Sequence, residues 1–273
     1  MPEMPEVATV VNLLRPKIVG QNIENVDVYN TKLIKNIDAN SFINSIVGSK
    51  IENIFNVGKY IVINLNNEMS IINHLRMTGK YSFYTKYHEP IIHDHVVFKL
   101  SEGVLYFNDA RAFATFELRK NVDLYSTPPL NKLGNTPLNT DIDWLFDKIK
   151  RKASPIKNVL LDQSLVLGIG NIYANEALFN TGIHPSTPAN KLSKNELKDL
   201  ILAAGNIMQT ATQMGGSSIQ SYTSLNGQKG EFQNYLQVHN RNGLACNKCG
   251  STIQKYWVGG RGTHFCPRCQ KEK

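Results

Sequence analysis

The chain has 273 residues, of which 41% are hydrophobic and 19% charged, and a formal net charge of +8. That length holds one or two domains with sizeable cores, and 19 Gly with 11 Pro excludes collagen-like and low-complexity classes. No apolar run reaches the ~18 residues of a membrane helix, and the acidic start Met1-Pro2-Glu3-Met4-Pro5-Glu6 lacks the basic, then apolar, pattern of a signal peptide. A soluble, cytoplasmic protein is expected.

In chain order, Val7, Val10, Val11 and Leu14 recur at helical spacing behind Pro5, predicting a helix over 5–15 that Pro16 ends. From about residue 22 to 119 the apolar runs are short and turn-punctuated: Ile51–Val57, Tyr60–Leu65, Val96–Leu100 and Val104–Phe107. These predict a β-sandwich or barrel with a helix at its front. A turn-rich hinge follows at 126–134, then helical patterning at 142–151, 155–163, 171–180 and 193–213. No internal repeat is present.

Charge concentrates at the end. Residues 237–273 carry seven Lys or Arg against the single acid Glu272. With a pI near 9.2, this pattern fits a polyanion partner or a solvated basic tail. All four cysteines lie in the same segment, as Cys246-x-x-Cys249 and Cys266-x-x-Cys269, with 16 residues between the pairs. Paired knuckles at this separation form a four-thiolate site for one structural zinc ion. Two disulfides are the alternative, which a reducing compartment disfavours.

Short segments add chemistry. Leu167-Gly168-Ile169-Gly170-Asn171 precedes a helical stretch, so Asn171 is expected as its N-cap and the helix start can meet a phosphate. An ordinary glycine turn is the other reading. His74-Leu75-Arg76-Met77 and Asn108-Asp109-Ala110-Arg111-Ala112-Phe113 are turns with clustered base, and Gly259-Gly260-Arg261-Gly262 forms the tip of the cysteine hairpin.

Taken together, the chain resembles the formamidopyrimidine-DNA glycosylases, repair enzymes that excise oxidised purines. The similarity runs through Met1-Pro2-Glu3-Met4-Pro5-Glu6-Val7, Gly58-Lys59-Tyr60, His74-Leu75-Arg76-Met77, His93-Asp94-His95 and Leu160-Leu161-Asp162-Gln163. It continues through Gly168-Ile169-Gly170-Asn171, Gly182-Ile183-His184-Pro185, Gly227-Gln228-Lys229-Gly230 and Gly262-Thr263-His264-Phe265-Cys266-Pro267. The resemblance implies an α+β chain with three parts. These are an N-terminal β-sandwich with flanking helices (2–125), a helix–two-turns–helix domain (135–215) and a C-terminal four-cysteine zinc finger hairpin (237–271). It also implies double-stranded DNA with oxidised bases or abasic sites as partner, a monomer, and association with the nucleoid.

By the same resemblance, Pro2, exposed as a secondary amine after loss of Met1, is the nucleophile, Glu3 the general acid, and Lys59 and Arg261 proton donors in elimination. Glu6 supports the site. His74, His93, Arg111, Lys152, Lys157 and Asn171 match DNA contacts, and Met77, Arg111 and Phe113 match residues that fill the space of a flipped base. Core packing is the alternative for Met77 and Phe113.

Departures from the family pattern bear on recognition. Asp109-Ala110-Arg111-Ala112-Phe113-Ala114 stands where Asp-Pro-Arg-Arg-Phe-Gly is usual, which predicts a less rigid, less basic loop. Ala8 stands for Glu and Leu167 for Ala, and Ser217–Leu225, matching a loop that closes over the flipped base, is only loosely typical. Two other readings remain: an endonuclease VIII-like enzyme for oxidised pyrimidines, and a catalytically silent damaged-DNA-binding relative.

Overall fold

The computed structural model describes residues 2–218 and 224–273. The chain forms two compact units: residues 1–131 with 215–231, and residues 132–214 with 232–273.

In the first unit, helix α1 (Met4–Ile18) leads into β1 (Ile23–Val28), helix α2 (Ala39–Ile46) and strands β2 (Ile51–Val57), β3 (Tyr60–Leu65) and β4 (Met69–His74). Strands β5 (Lys80–Tyr84), β6 (Asp94–Leu100), β7 (Gly103–Asn108) and β8 (Thr115–Lys120) complete it. They build two antiparallel four-stranded sheets, ordered β1-β6-β7-β5 and β2-β3-β4-β8. Phe116 of β8 meets Phe107 of β7 edge-on at 4.8 Å and Phe42 of α2 at 6.4 Å. One continuous apolar core thus joins both sheets and the helices, including Val7, Val10, Val11, Leu14 and Ile18 of α1.

Pro16 does not end α1; it lies inside the helix, which runs on to Ile18. A proline in a helix loses its own N–H bond and crowds the carbonyl four residues before it, yet keeps a helical φ. The last turn is retained because Ile18 is fully buried and Val19 N donates to Arg15 O at 3.1 Å.

The second unit contains α3 (Ile142–Ile149), α4 (Ile156–Leu161), α5 (Asn171–Asn180), α6 (Lys194–Gln213) and the hairpin β9 (Gln254–Val258) with β10 (Arg261–Phe265). Helix α6 opens with a capping box, in which Ser193 Oγ accepts from Glu196 N and Glu196 accepts from Ser193 N. Helix α5 is buried along nearly its whole length. Its N-cap is Gly170 and not Asn171, which is the first helical residue and directs its side chain elsewhere. Among the described residues, no helix is long and apolar enough to cross a membrane. The segment 219–223, within the loop matched to base closure, lies outside the described residues.

Candidate functional site

The start of α1 is built from its own sequence. Pro2 is buried and Glu3 is 3% exposed. Glu3 N donates to Glu6 Oε2 at 2.8 Å, the main-chain half of a capping box. The other oxygen of Glu6 accepts from Ser217 N at 2.7 Å. A buried carboxylate in the first helical turn is favoured by the N-terminal N–H groups and the helix dipole. Glu6 therefore fixes the backbone at Glu3 and also holds the returning chain at Ser217.

In the same unit, Gly58 takes φ +57 at the tip of the β2–β3 hairpin and sets Lys59 into a buried position. Tyr60 pairs with His74 across β3 and β4, their rings edge-on at 4.7 Å. Burial holds the His74 imidazole down to about 3, with Arg76 and Lys59 adding cationic repulsion. Its Nδ1 accepts from Arg76 N at 3.0 Å, so the proton of the neutral ring sits on Nε2, a donor suited to a phosphate oxygen.

Met77 is 38% exposed and Phe113 56%. Neither is core, and both are available to a ligand. The Arg111 guanidinium lies 4.8 Å from the Phe113 ring centroid, an exposed cation–π pair. His93 is exposed at φ +73, its carbonyl held by Asp109 N at 3.0 Å. The loop from Asp109 to Ala114 is not slack despite Ala110 and Ala112, because the buried Asp109 carboxylate accepts from Phe113 N and Ala114 N, each at 2.8 Å.

In the second unit, the β9–β10 turn is Gly259-Gly260, both at positive φ, the type I′ pattern. A Cβ at Gly259 would come within 2.2 Å of Asn158 Oδ1, so glycine lets the turn seat on α4. Arg261 opens β10, exposed just beyond the turn. Lys157 is fully buried and donates to Thr263 Oγ1 at 2.7 Å, while Asn171 Nδ2 donates to Gly262 O at 3.0 Å. Two helices thus hold the strand that carries Arg261. Lys152 stands exposed after α3.

Near Lys157 lies His239, which belongs to no motif of the sequence. His239 Nδ1 pairs with Asn175 Nδ2 at 2.9 Å, and its ring meets that of His264 at 5.1 Å. Burial, with His264 and Lys157 close by, holds His239 down to about 3. A lone histidine outside any regular element gives no advance sign of this cluster.

The four cysteines are unbridged and their sulfurs lie within 4.8 Å of one another. Cys249 and Cys266 Sγ are 3.5 Å apart and Cys246 and Cys269 Sγ 3.9 Å. A zinc ion with Zn–S of ~2.3 Å has tetrahedral edges of about 3.8 Å, which fits this spacing, whereas a disulfide needs ~2.05 Å. Cys246, Cys249, Cys266 and Cys269 hold one zinc ion, with four thiolates leaving no open coordination position.

Two measurements follow. Native His74 and His239 stay neutral down to about 3, whereas the unfolded chain protonates them near 6.5. Below the unfolded value the unfolded state binds more protons, so their contribution is present above pH ~6.5 and lost as pH falls. The urea midpoint should drop between about pH 7.5 and about pH 5, and His74→Gln should flatten that drop. Metal analysis should find one zinc per chain, and Cys266→Ser should lose it. Stoichiometric retention of zinc in Cys266→Ser would contradict the assigned ligand set.

Family models match along the chain: the formamidopyrimidine-DNA glycosylase N-terminal domain over residues 1–116, its H2TH domain over 133–223, and the zinc finger found in FPG and IleRS over 243–271. The chain is 42% identical over 272 residues to the formamidopyrimidine-DNA glycosylase of Mycoplasma mobile, covering 99% of both. It is 43% identical over 275 residues to that of Mycoplasmopsis pulmonis, covering 100% of this chain and 99% of the relative. Among solved structures, a Lactococcus lactis FPG variant with Fapy-dG-containing DNA matches at TM-score 0.94 and 36% identity, over 99% of this chain and 100% of that one. The same organism's Fpg with DNA containing an abasic site matches equally, at 0.94 and 36% over the same shares. Fold, finger and sequence agree along the whole length, and the chain belongs to the formamidopyrimidine-DNA glycosylase family.

Proposed function

We propose that this DNA glycosylase excises oxidised purines, 8-oxoguanine and formamidopyrimidines, from duplex DNA and then cleaves the abasic strand by β,δ-elimination. The observation that carries the reading is the buried Pro2-Glu3 start of α1, with Glu3 N held by Glu6 at 2.8 Å. The names of the relatives and the lesion-containing DNA bound by the Lactococcus lactis proteins support it.

With Met1 removed, Pro2 presents a secondary amine whose ordinary pKa of about 7.7–8 leaves a usable neutral fraction near neutrality. Its lone pair attacks C1′ of the damaged nucleotide, and the bond from C1′ to the base breaks with the electron pair leaving on the base. The proton lost from the Pro2 nitrogen ends on the departing base. Glu3 protonates O4′ as the sugar ring opens, giving a C1′ iminium, obligatorily cationic because proline is secondary. Loss of a C2′ proton then expels the 3′ phosphate, and a second elimination expels the 5′ phosphate. Lys59 and Arg261 are the proton donors assigned to these steps. Water finally hydrolyses the adduct and frees Pro2.

The base must first leave the stack, at a cost of a few kcal/mol. Met77, Arg111 and Phe113 fill the vacated space, an apolar wedge supported by a cation, which their exposure supports. His93 and Lys152, both exposed, and His74 hold the DNA backbone, while the buried Lys157 and the half-buried Asn171 act through the strand that carries Arg261. Cys246, Cys249, Cys266 and Cys269 would hold a zinc ion whose part would be structural, fixing the knuckles at the base of the hairpin bearing Arg261.

Borohydride should trap the chain on 8-oxoguanine duplex, and peptide mapping should place the adduct on Pro2. An adduct on Lys59 would overturn the assignment. Oxidised-pyrimidine duplex run in parallel separates the endonuclease VIII-like reading, and absence of trapping on every substrate would favour a silent binder. Separately, Glu3→Gln should keep binding to damaged DNA but lose base release by about 10²–10⁴-fold. Met77→Ala should slow excision from intact duplex more than cleavage at a preformed abasic site. Equal losses on both would remove the insertion role.

A further inference from the structure

Asp109 is fully buried between β7 and the loop before β8. Four donors converge on its carboxylate. Oδ1 accepts from the Thr78 hydroxyl and from Arg111 N at 3.2 Å, and Oδ2 accepts from Phe113 N and Ala114 N at 2.8 Å. Its main-chain carbonyl meets His95 Nε2 at 2.9 Å and Ala112 N at 3.0 Å. Thr78 Oγ1 also accepts from Arg111 N at 3.3 Å.

The arrangement joins two separate pieces of chain. Thr78 adjoins Met77 in the β4–β5 turn, whereas Arg111 and Phe113 sit in the β7–β8 loop. Both pieces contain a residue in the left-handed region, Arg76 at φ +55 and Ala112 at φ +52. Such backbone persists only where surrounding bonds over-determine it. Around Ala112 the carboxylate supplies them through Arg111 N and Phe113 N. At Arg76 the N–H is held by His74 Nδ1, while the carboxylate holds Thr78 two residues on.

We propose that Asp109 is a positioning residue that locks Met77, Arg111 and Phe113 into one preorganised insertion unit. The inference rests on the insertion role given above to those three side chains. Exposed side chains that must enter a base stack lose rotamer and loop freedom on doing so. A shared buried acceptor removes the loop part of that loss beforehand, before DNA is met. The lock acts on base extrusion and leaves the chemistry at Pro2 alone.

The hydroxyl of Thr78 is the bridge between the two pieces, so it gives the cleaner test. Thr78→Val keeps the shape and deletes the bond, whereas Thr78→Ser restores it. Asp109→Asn weakens the hub itself, since its amide can face Thr78 only by abandoning Arg111 N. Single-turnover base release from 8-oxoguanine duplex and strand cleavage of a preformed abasic duplex are measured for each, beside Met77→Ala. Fluorescence of 2-aminopurine placed opposite the lesion reports insertion directly.

Thr78→Val and Asp109→Asn should slow base release about tenfold and abasic cleavage less than about threefold, with the 2-aminopurine change reduced. Thr78→Ser should regain the wild-type ratio. Equal losses on the two substrates, or an unaltered 2-aminopurine response, overturn the lock. If Asp109→Asn fails to fold, the Thr78→Val and Thr78→Ser pair decides by the same criteria. Met77→Ala separates the two failures. If it is selective for the lesion and Thr78→Val is not, only the lock falls; if Met77→Ala itself is unselective, the insertion role falls and the lock with it.

Discussion

The first unit depends on one buried carboxylate. Glu6 is 2% exposed and divides its oxygens between Glu3 N, three residues before it, and Ser217 N, more than two hundred residues after it. Gly216 takes φ +76 beside it, where a Cβ would approach Glu6 Oε1 to 3.0 Å. Gly230 closes the other side, with no room for a Cβ against Gly216 O. Two glycines and one glutamate thereby bring the returning segment onto the helix that begins at the proposed nucleophile. Loss of the acceptor would leave buried N–H groups unsatisfied at both places, each costing about 1–3 kcal/mol.

Much of this was legible in the sequence, and the reasons differ from residue to residue. The cysteine spacing is legible because tetrahedral thiolate coordination admits few chain geometries. Helix α6 is legible because helical apolar patterning runs over 193–213, and the capping box of Ser193 and Glu196 sets its start in the structure. Pro16 misleads because a proline near a helix end forfeits one hydrogen bond, and the burial of Ile18 outweighs it. Asn171 misleads because its side chain has a distant partner, Gly262 O, that local cap preferences cannot anticipate. The substitutions Ala110 and Ala112 suggest a looser loop only when Asp109 is taken as one more surface acid. Its burial is a tertiary fact, as is that of His239.

The two units solve the same problem by different means. In each, a hairpin or loop must present cations and apolar groups to solvent without collapsing onto the protein. The second unit uses a metal at the base of the finger and glycines at its tip, with Lys157 and Asn171 bracing the strand between. The first uses a buried carboxylate and accepts positive φ at Arg76, His93 and Ala112, at a cost of order 1–3 kcal/mol each. Those three positions lie at or beside residues proposed to meet DNA, among six non-glycine residues at positive φ in the described chain.

The division of the chain has a consequence for how the protein is made. Residues 132–214 of the second unit are inserted between the two pieces of the first. During synthesis the two sheets emerge well before Ser217, and at ribosomal rates the intervening residues take on the order of ten seconds to appear. Throughout that interval Glu6 lacks the Ser217 N–H that it meets in the finished fold. The first unit is thus completed only after all of α6 has been translated, so its final closure is ordered in time by the unit inserted within it.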